Sequence, residues 1–108
     1  MTGSSYTHIE LLTQLAKVPT NGILSQTVYQ TDGLKTVLFG FAPGQELSEH
    51  TASMPAIIHI LQGEAVLVLK GDMLDARPGT WVYMPAGLPH SVLAKTEVVM
   101  LLELLKAP

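Results

Sequence analysis

Gly44-Gln-Glu-Leu-Ser-Glu-His50-Thr-Ala52-Ser-Met-Pro-Ala56-Ile-Ile-His-Ile-Leu-Gln-Gly63 is the stretch on which the fold turns, and Gly79-Thr-Trp-Val-Tyr-Met-Pro85-Ala-Gly87-Leu-Pro-His90-Ser-Val-Leu-Ala94 is its echo. Each reads as strand bounded by turn residues, with a histidine held at a defined place. Glycine reaches the positive φ that a chain reversal needs. Proline removes a ladder donor, so Pro85 belongs at a strand end. Two strands that each carry a histidine bring the imidazoles together if they lie side by side or face each other across a core. That arrangement would seed a metal or small-ligand site.

The pair of stretches resembles the two motifs of the cupin superfamily, G-x5-H-x-H-x3-E-x6-G and G-x5-P-x-G-x2-H-x3-N. Gly44, His50 and Gly63 fall on the first motif, and Gly79, Pro85, Gly87 and His90 on the second, with every spacing kept. Three positions depart from the pattern. Ala52 stands for the second histidine, Ala56 for the glutamate and Ala94 for the final asparagine. The resemblance covers roughly residues 20 to 108. It implies an all-β fold, the double-stranded β-helix or jelly-roll barrel of RmlC-like cupins, preceded over residues 1–19 by an arm or short helix.

Bulk properties bound the answer. A chain of 108 residues makes one domain with a core of its own. There is no cysteine, so disulfides, thiolate metal sites and cysteine nucleophiles are excluded. Six Lys and Arg residues are scattered along a chain of formal net charge −3, which is not the basic patch that nucleic acid demands. The start is polar and shows no signal peptide. The apolar run Val98 to Leu105 is interrupted by Glu103 and is too short to span a bilayer. A cytoplasmic protein without membrane or nucleic-acid partners is the expectation. Only 14% of residues are charged, against a usual share of about 25%, while 47% are hydrophobic. So little charge on so small a domain points to a homodimer, with a monomer carrying an open apolar cavity as the alternative.

Along the chain, Ile9, Leu11, Leu12, Leu15 and Ala16 recur at helical spacing and predict one short amphipathic helix ending before Val18-Pro19; an irregularly packed arm is the competing reading. From Asn21-Gly22 onward the pattern is of strands. They are expected at Ile23–Gln30, Leu34–Phe41, Leu47–Thr51, Ala56–Gln62, Ala65–Lys70, Met73–Ala76, Thr80–Met84, His90–Ala94 and Val98–Leu105. Many short strands separated by Gly and Pro turns mean a sandwich or barrel. Ala56 to Leu61 and Ala65 to Leu69 are apolar on both faces, where a strand with one wet face should alternate. The outer face of at least one sheet is therefore expected to be covered, again by a second copy.

Alternation along a strand points His50 and Ala52 the same way, and with them Ala56, Ile58 and Ile60. In a cupin-like barrel that way is inward, where His90 also points. The expected ligand pocket is then His50, Ala52, Ala56, Ile58, His90 and Ala94, roomy and dry around two imidazoles. His59 has the opposite parity and belongs on the outer face. Trp81 and Tyr83 share one face and read as core or interface packing.

Transition metals usually take three or more protein ligands. His50 and His90 with waters could hold zinc, copper or nickel weakly; Glu46 and Glu49 lie close in sequence, though Glu49 should face away from His50 on a regular strand, and Met54 in the following loop would suit soft Cu(I). The resemblance implies one divalent ion (Zn, Ni, Cu, Mn or Fe) or, with the ligand set depleted, none. No second carboxylate joins the histidines, and neither Ser48 nor Ser91 makes a triad. Two functions follow from the resemblance: a protein that binds a small molecule in its barrel, or a metal-dependent dioxygenase or isomerase using His50 and His90. A scaffold without chemistry is the third reading.

Overall fold

Nine strands and one helical turn account for most of the chain in a computed structural model that describes residues 5–106. The strands are β1 (Ile23–Gln30), β2 (Leu34–Phe41), β3 (Glu46–His50), β4 (Ala56–Gln62), β5 (Ala65–Leu69), β6 (Asp72–Ala76), β7 (Trp81–Met84), β8 (His90–Ala94) and β9 (Val98–Leu105). They begin and end within a residue of the positions that the Gly and Pro punctuation predicts. The single turn of helix, α1 (Leu12–Leu15), is much shorter than the amphipathic pattern suggests. Its N-cap is Leu11, which offers no side-chain acceptor, and no acidic residue sits in the first turn. Ala16 is already extended. One uncapped turn cannot repay helix nucleation, so the arm follows the surface beneath it instead.

Pairing is antiparallel and nested. β2 lies against β9, β3 against β8, β4 against β7 and β5 against β6. The chain is thus one long hairpin, its outbound limb running from β2 to β5 and its return limb from β6 to β9. The tip is the two-residue connection Lys70-Gly71, and both residues have positive φ, as a type I′ hairpin turn requires. Cross-pairing of β4 with β9 and of β5 with β8 winds the hairpin into two sheets. Their orders are β1-β2-β9-β4-β7 and β3-β8-β5-β6. This is the jelly roll that the motifs imply.

Inward-facing residues of the two sheets make one core. Phe41, Ile58, Ile60, Met84 and Met100 from the larger sheet meet Leu67 and Val92 from the smaller, all at most 1% exposed. Burying each such side chain stabilises the fold by roughly 1.5–3 kcal/mol before the entropy of ordering is counted.

The outer face of the larger sheet is also partly covered, and the arm is what covers it. Leu38, Val99 and Leu101 are buried beneath Leu12, Ala16 and Val18. Gly40 permits the close approach: a Cβ there would overlap the Lys17 carbonyl. The outer face over β2 and β9, with Leu61 on β4, is thus covered within the chain itself; of the strands read as apolar on both faces, β5 keeps Val66 and Val68 half-buried on the smaller sheet, outside this cover. Over the rest of β4 and over β7 the arm gives no cover either. Ile57 and His59 are half-buried there, while Trp81 and Tyr83 are 57% and 49% exposed. Trp81 and Tyr83 are not core residues: their register opposite His59 and Ile57 puts them on the outer face. Among the described residues no helix is long and apolar enough to cross a membrane.

Candidate functional site

His50 and His90 come from opposite limbs of the long hairpin and are direct partners in the β3–β8 ladder. Their ring centres are 4.2 Å apart and the planes are tilted by 57°. A simple count of alternating side chains does not give this geometry. Leu47 pairs with Val92 and His50 with His90, so β3 spends two residues, Ser48 and Glu49, where β8 spends only Ser91. That bulge turns His50 onto the face of Leu47 rather than that of Ser48. Bulges re-aim side chains in this way.

Each ring is fixed by a carbonyl two residues before it. His50 Nδ1 lies 2.8 Å from the Ser48 carbonyl oxygen, and His90 Nδ1 lies 2.8 Å from that of Leu88. A carbonyl only accepts, so both Nδ1 atoms must carry the proton. In the neutral state both Nε2 atoms then keep a lone pair, and on protonation both become donors. The environments differ. His90 is only 6% exposed, whereas His50 is open to solvent. The pair is thus at the rim of the barrel, one imidazole seated and one free.

Loops hold the rim together. Leu88 N–H donates to the Pro85 carbonyl across a turn whose third residue, Gly87, has a φ of 82°. Gly87 N–H donates to the Ala52 carbonyl at 2.8 Å, joining the loop after His50 to the loop before His90. Lys70 N–H, at the hairpin tip, donates to the Pro89 carbonyl at 2.8 Å.

Ala52 is half-buried beside the pair through that loop contact. Ala56 opens β4 opposite Met84, just before the Pro85 turn, and is 2% exposed. Ile58 is one step deeper in the core. Ala94 is elsewhere. It lies four residues along β8 from His90, about 13 Å away by strand rise, and pairs with Ala65 at the opposite end of the sheet. His59 is on the outer face, opposite Leu101 and Trp81. The two backbone carbonyls that set the tautomers have no signature in the sequence.

A divalent ion needs more than this pair offers. Among the described residues no three of His, Asp or Glu gather as a metal-binding group. Glu46 and Glu49 are exposed on β3 and do not join the histidines. Nδ1–H bonds to carbonyls do orient metal-binding imidazoles in general, but two donors fall short of the three or four of a resident centre. The donor set does not fit a tightly held ion.

Comparison with known proteins gives the family. No curated protein matches the chain. A conserved protein of unknown function from Streptococcus pyogenes is 28% identical in its solved structure, over 99% of this chain and 94% of that one, with a TM-score of 0.83. A cupin superfamily protein from Desulfitobacterium hafniense is 31% identical over 89% and 88%, also with a TM-score of 0.83. An RmlC-like cupin from Desulfovibrio desulfuricans is 26% identical over 93% and 96%, with a TM-score of 0.81. Residues 37–104 match the family model of the cupin domain, and with the β3–β8 histidine pair inside that span the chain belongs to the cupin family.

Proposed function

We propose that the protein binds a small molecule at the barrel rim through His50 and His90, the ligand presenting a hydroxyl or carboxylate to the two Nε2 atoms and an apolar body to the surrounding side chains. The observation that carries this reading is the tying of both Nδ1 atoms to carbonyls. Both Nε2 atoms are thereby left for a ligand: one can accept from a hydroxyl, whose oxygen can in turn accept from the other when that ring is protonated, and protonated rings can donate to a carboxylate.

The test is a titration of the ¹⁵N-labelled full chain with benzoate and benzyl alcohol, followed through the backbone amides. Perturbation centred on the amides of Ser48–Ala52 and Leu88–Val92, and its loss in the His50→Ala, His90→Ala double variant, is the expected result. Perturbation that survives unchanged in that variant would sink the idea. The competing reading, a metal-dependent oxidation or isomerisation at the same histidines, is separated by elemental analysis of untagged protein purified without chelator. Near-stoichiometric metal that vanishes in the double variant would establish it in place of the first.

The uncovered aromatic patch over β4 and β7 supports the homodimer expected from the low charge content. A twofold contact through Trp81, Tyr83, Ile57 and His59 would cover what the arm leaves open. Sedimentation equilibrium is expected to give a dimer for the wild type and a monomer for Trp81→Glu. A monomeric wild type, or a variant as dimeric as its parent, removes this contact from consideration.

A further inference from the structure

A cavity lies outside the barrel, on the outer face of the larger sheet. It is a groove of about 330 Å³ between the sheet and the arm. Ile9 and Leu12 of the arm line it together with Tyr29, Thr36, Leu101 and Glu103 of three adjacent strands. Tyr29 on β1 pairs with Thr36 on β2, and Thr36 pairs with Glu103 on β9. A phenol, a hydroxyl and a carboxylate thus stand in one row across the floor of a groove whose other lining is apolar apart from Thr7.

That row depends on an irregularity. Thr27 pairs with Val37, and the register then shifts so that Tyr29, not Val28, faces Thr36. Without the bulge the row would hold a valine at this place. Bulges are over-represented beside binding and active sites because they re-aim a single side chain. Thr36 adds a second sign. It is only 7% exposed, and its hydroxyl makes no hydrogen bond among the described residues. Yet no side-chain nitrogen or oxygen there is both sealed from solvent and unpaired. The hydroxyl must keep an opening, and the groove is the space that Thr36 lines.

Charge decides the ligand class. Glu103 is the one charged residue lining the groove, and among the described residues the only ion pair is Lys95 with Asp75. A carboxylate in a largely apolar groove favours a cation, and the tyrosine ring at the other end of the row favours the same sign through its negative face. We propose that this groove binds a small organic cation, its ammonium group on Glu103 with Thr36 next to it and the Tyr29 ring beyond Thr36, its apolar body under Ile9 and Leu12. The volume is at the lower end for small-molecule sites and suits a ligand of about ten non-hydrogen atoms. This site does not rest on the histidine rim and stands whether or not the rim binds anything.

Phenethylamine, 2-phenylethanol and 3-phenylpropionate share a shape and differ in the charge of one group. Titrated into the ¹⁵N-labelled full chain, phenethylamine is expected to shift the amides of Tyr29, Thr36, Leu101 and Glu103, with a Kd of about 1 mM. The alcohol should bind at least tenfold more weakly and the acid not at all. In Glu103→Gln the preference for amine over alcohol should disappear while the rest of the spectrum is unchanged. Equal binding of amine and alcohol by the wild type would overturn the proposal. So would shifts centred on His50 and His90, no binding up to about 10 mM, or an undiminished preference in Glu103→Gln. The wild-type comparison of the three probes decides the matter even if that variant does not fold.

Discussion

Gly63→Ala is expected to cost about 3 kcal/mol or more, lowering the melting temperature by roughly 12 °C or more. Two effects add. Gly63 has a φ of 82°, where an L side chain costs about 1–2 kcal/mol. A Cβ there would also overlap the Glu97 carbonyl oxygen and come within 2.9 Å of Thr96 Oγ1. Neither neighbour is free to yield. Gly63-Glu64 is the corner where the chain passes from β4 to β5, and Lys95 to Glu97 is the corner where it returns from β8 to β9. The corners are bonded to each other: Glu64 N–H donates to Thr96 Oγ1 at 3.0 Å, and Lys95 N–H donates to the Glu64 carbonyl at 2.8 Å. Thr96 Oγ1 donates in turn to the Glu97 carbonyl. Displacing Glu97 therefore opens both passages between the sheets. Gly33→Ala is the control, since a Cβ there meets nothing within 4 Å and its φ is not in the left-handed region. A loss for Gly63→Ala no greater than the control's, read from denaturant midpoints, would show that the corners are not locked.

The two histidines should separate function from stability. His50→Ala and His90→Ala are each expected to weaken benzoate binding at least tenfold, because a carboxylate has two oxygens to satisfy. Their effects on folding should differ. His50 is exposed and its bond to the Ser48 carbonyl is exposed too, so its loss should cost under about 1 kcal/mol. His90 is 6% exposed and its bond to the Leu88 carbonyl is part-buried. Removing it leaves that carbonyl without its donor and a void beneath the rim, for a cost of about 2–3 kcal/mol. Chemical denaturation beside the titration gives both numbers. Equal stability losses would contradict the division into one seated and one free imidazole.

Most of the architecture was legible because its punctuation is local. Asp32-Gly33, Gly63-Glu64, Gly71-Asp72, Pro78-Gly79 and Pro85-Ala86-Gly87 each state a turn in their own residues, and the strands between them could be bounded closely. The meeting of His50 with His90 was implied by the resemblance to the two cupin motifs. What stayed hidden was set by neighbours distant in sequence. The Ser48–Glu49 bulge defeats a parity count, since nothing in those two residues announces that they will share one place in a ladder. Alternation put Ala94 on the face of His90, but the strand rise, which was legible too, sets it about 13 Å away. The periodicity from Ile9 to Ala16 is realised only in part: Leu12 and Ala16 pack against Leu38, Val99 and Leu101, while Leu11 and Leu15 are exposed and the helix is one turn. The chemistry of Trp81 and Tyr83 left core and interface packing open, and it is their register on the outer face that removes the core.

The tip of the long hairpin has a practical consequence. Lys70-Gly71 is an exposed two-residue turn, far in sequence from both histidines, and such places are where an epitope tag, a fluorophore or a circular-permutation break is usually put. Here the turn is also a strut. Its Lys70 N–H is bonded to the Pro89 carbonyl, one residue before His90. An insertion at the tip would cut the tether that holds the entry to β8, and a reporter placed there would disturb the very site it was meant to observe.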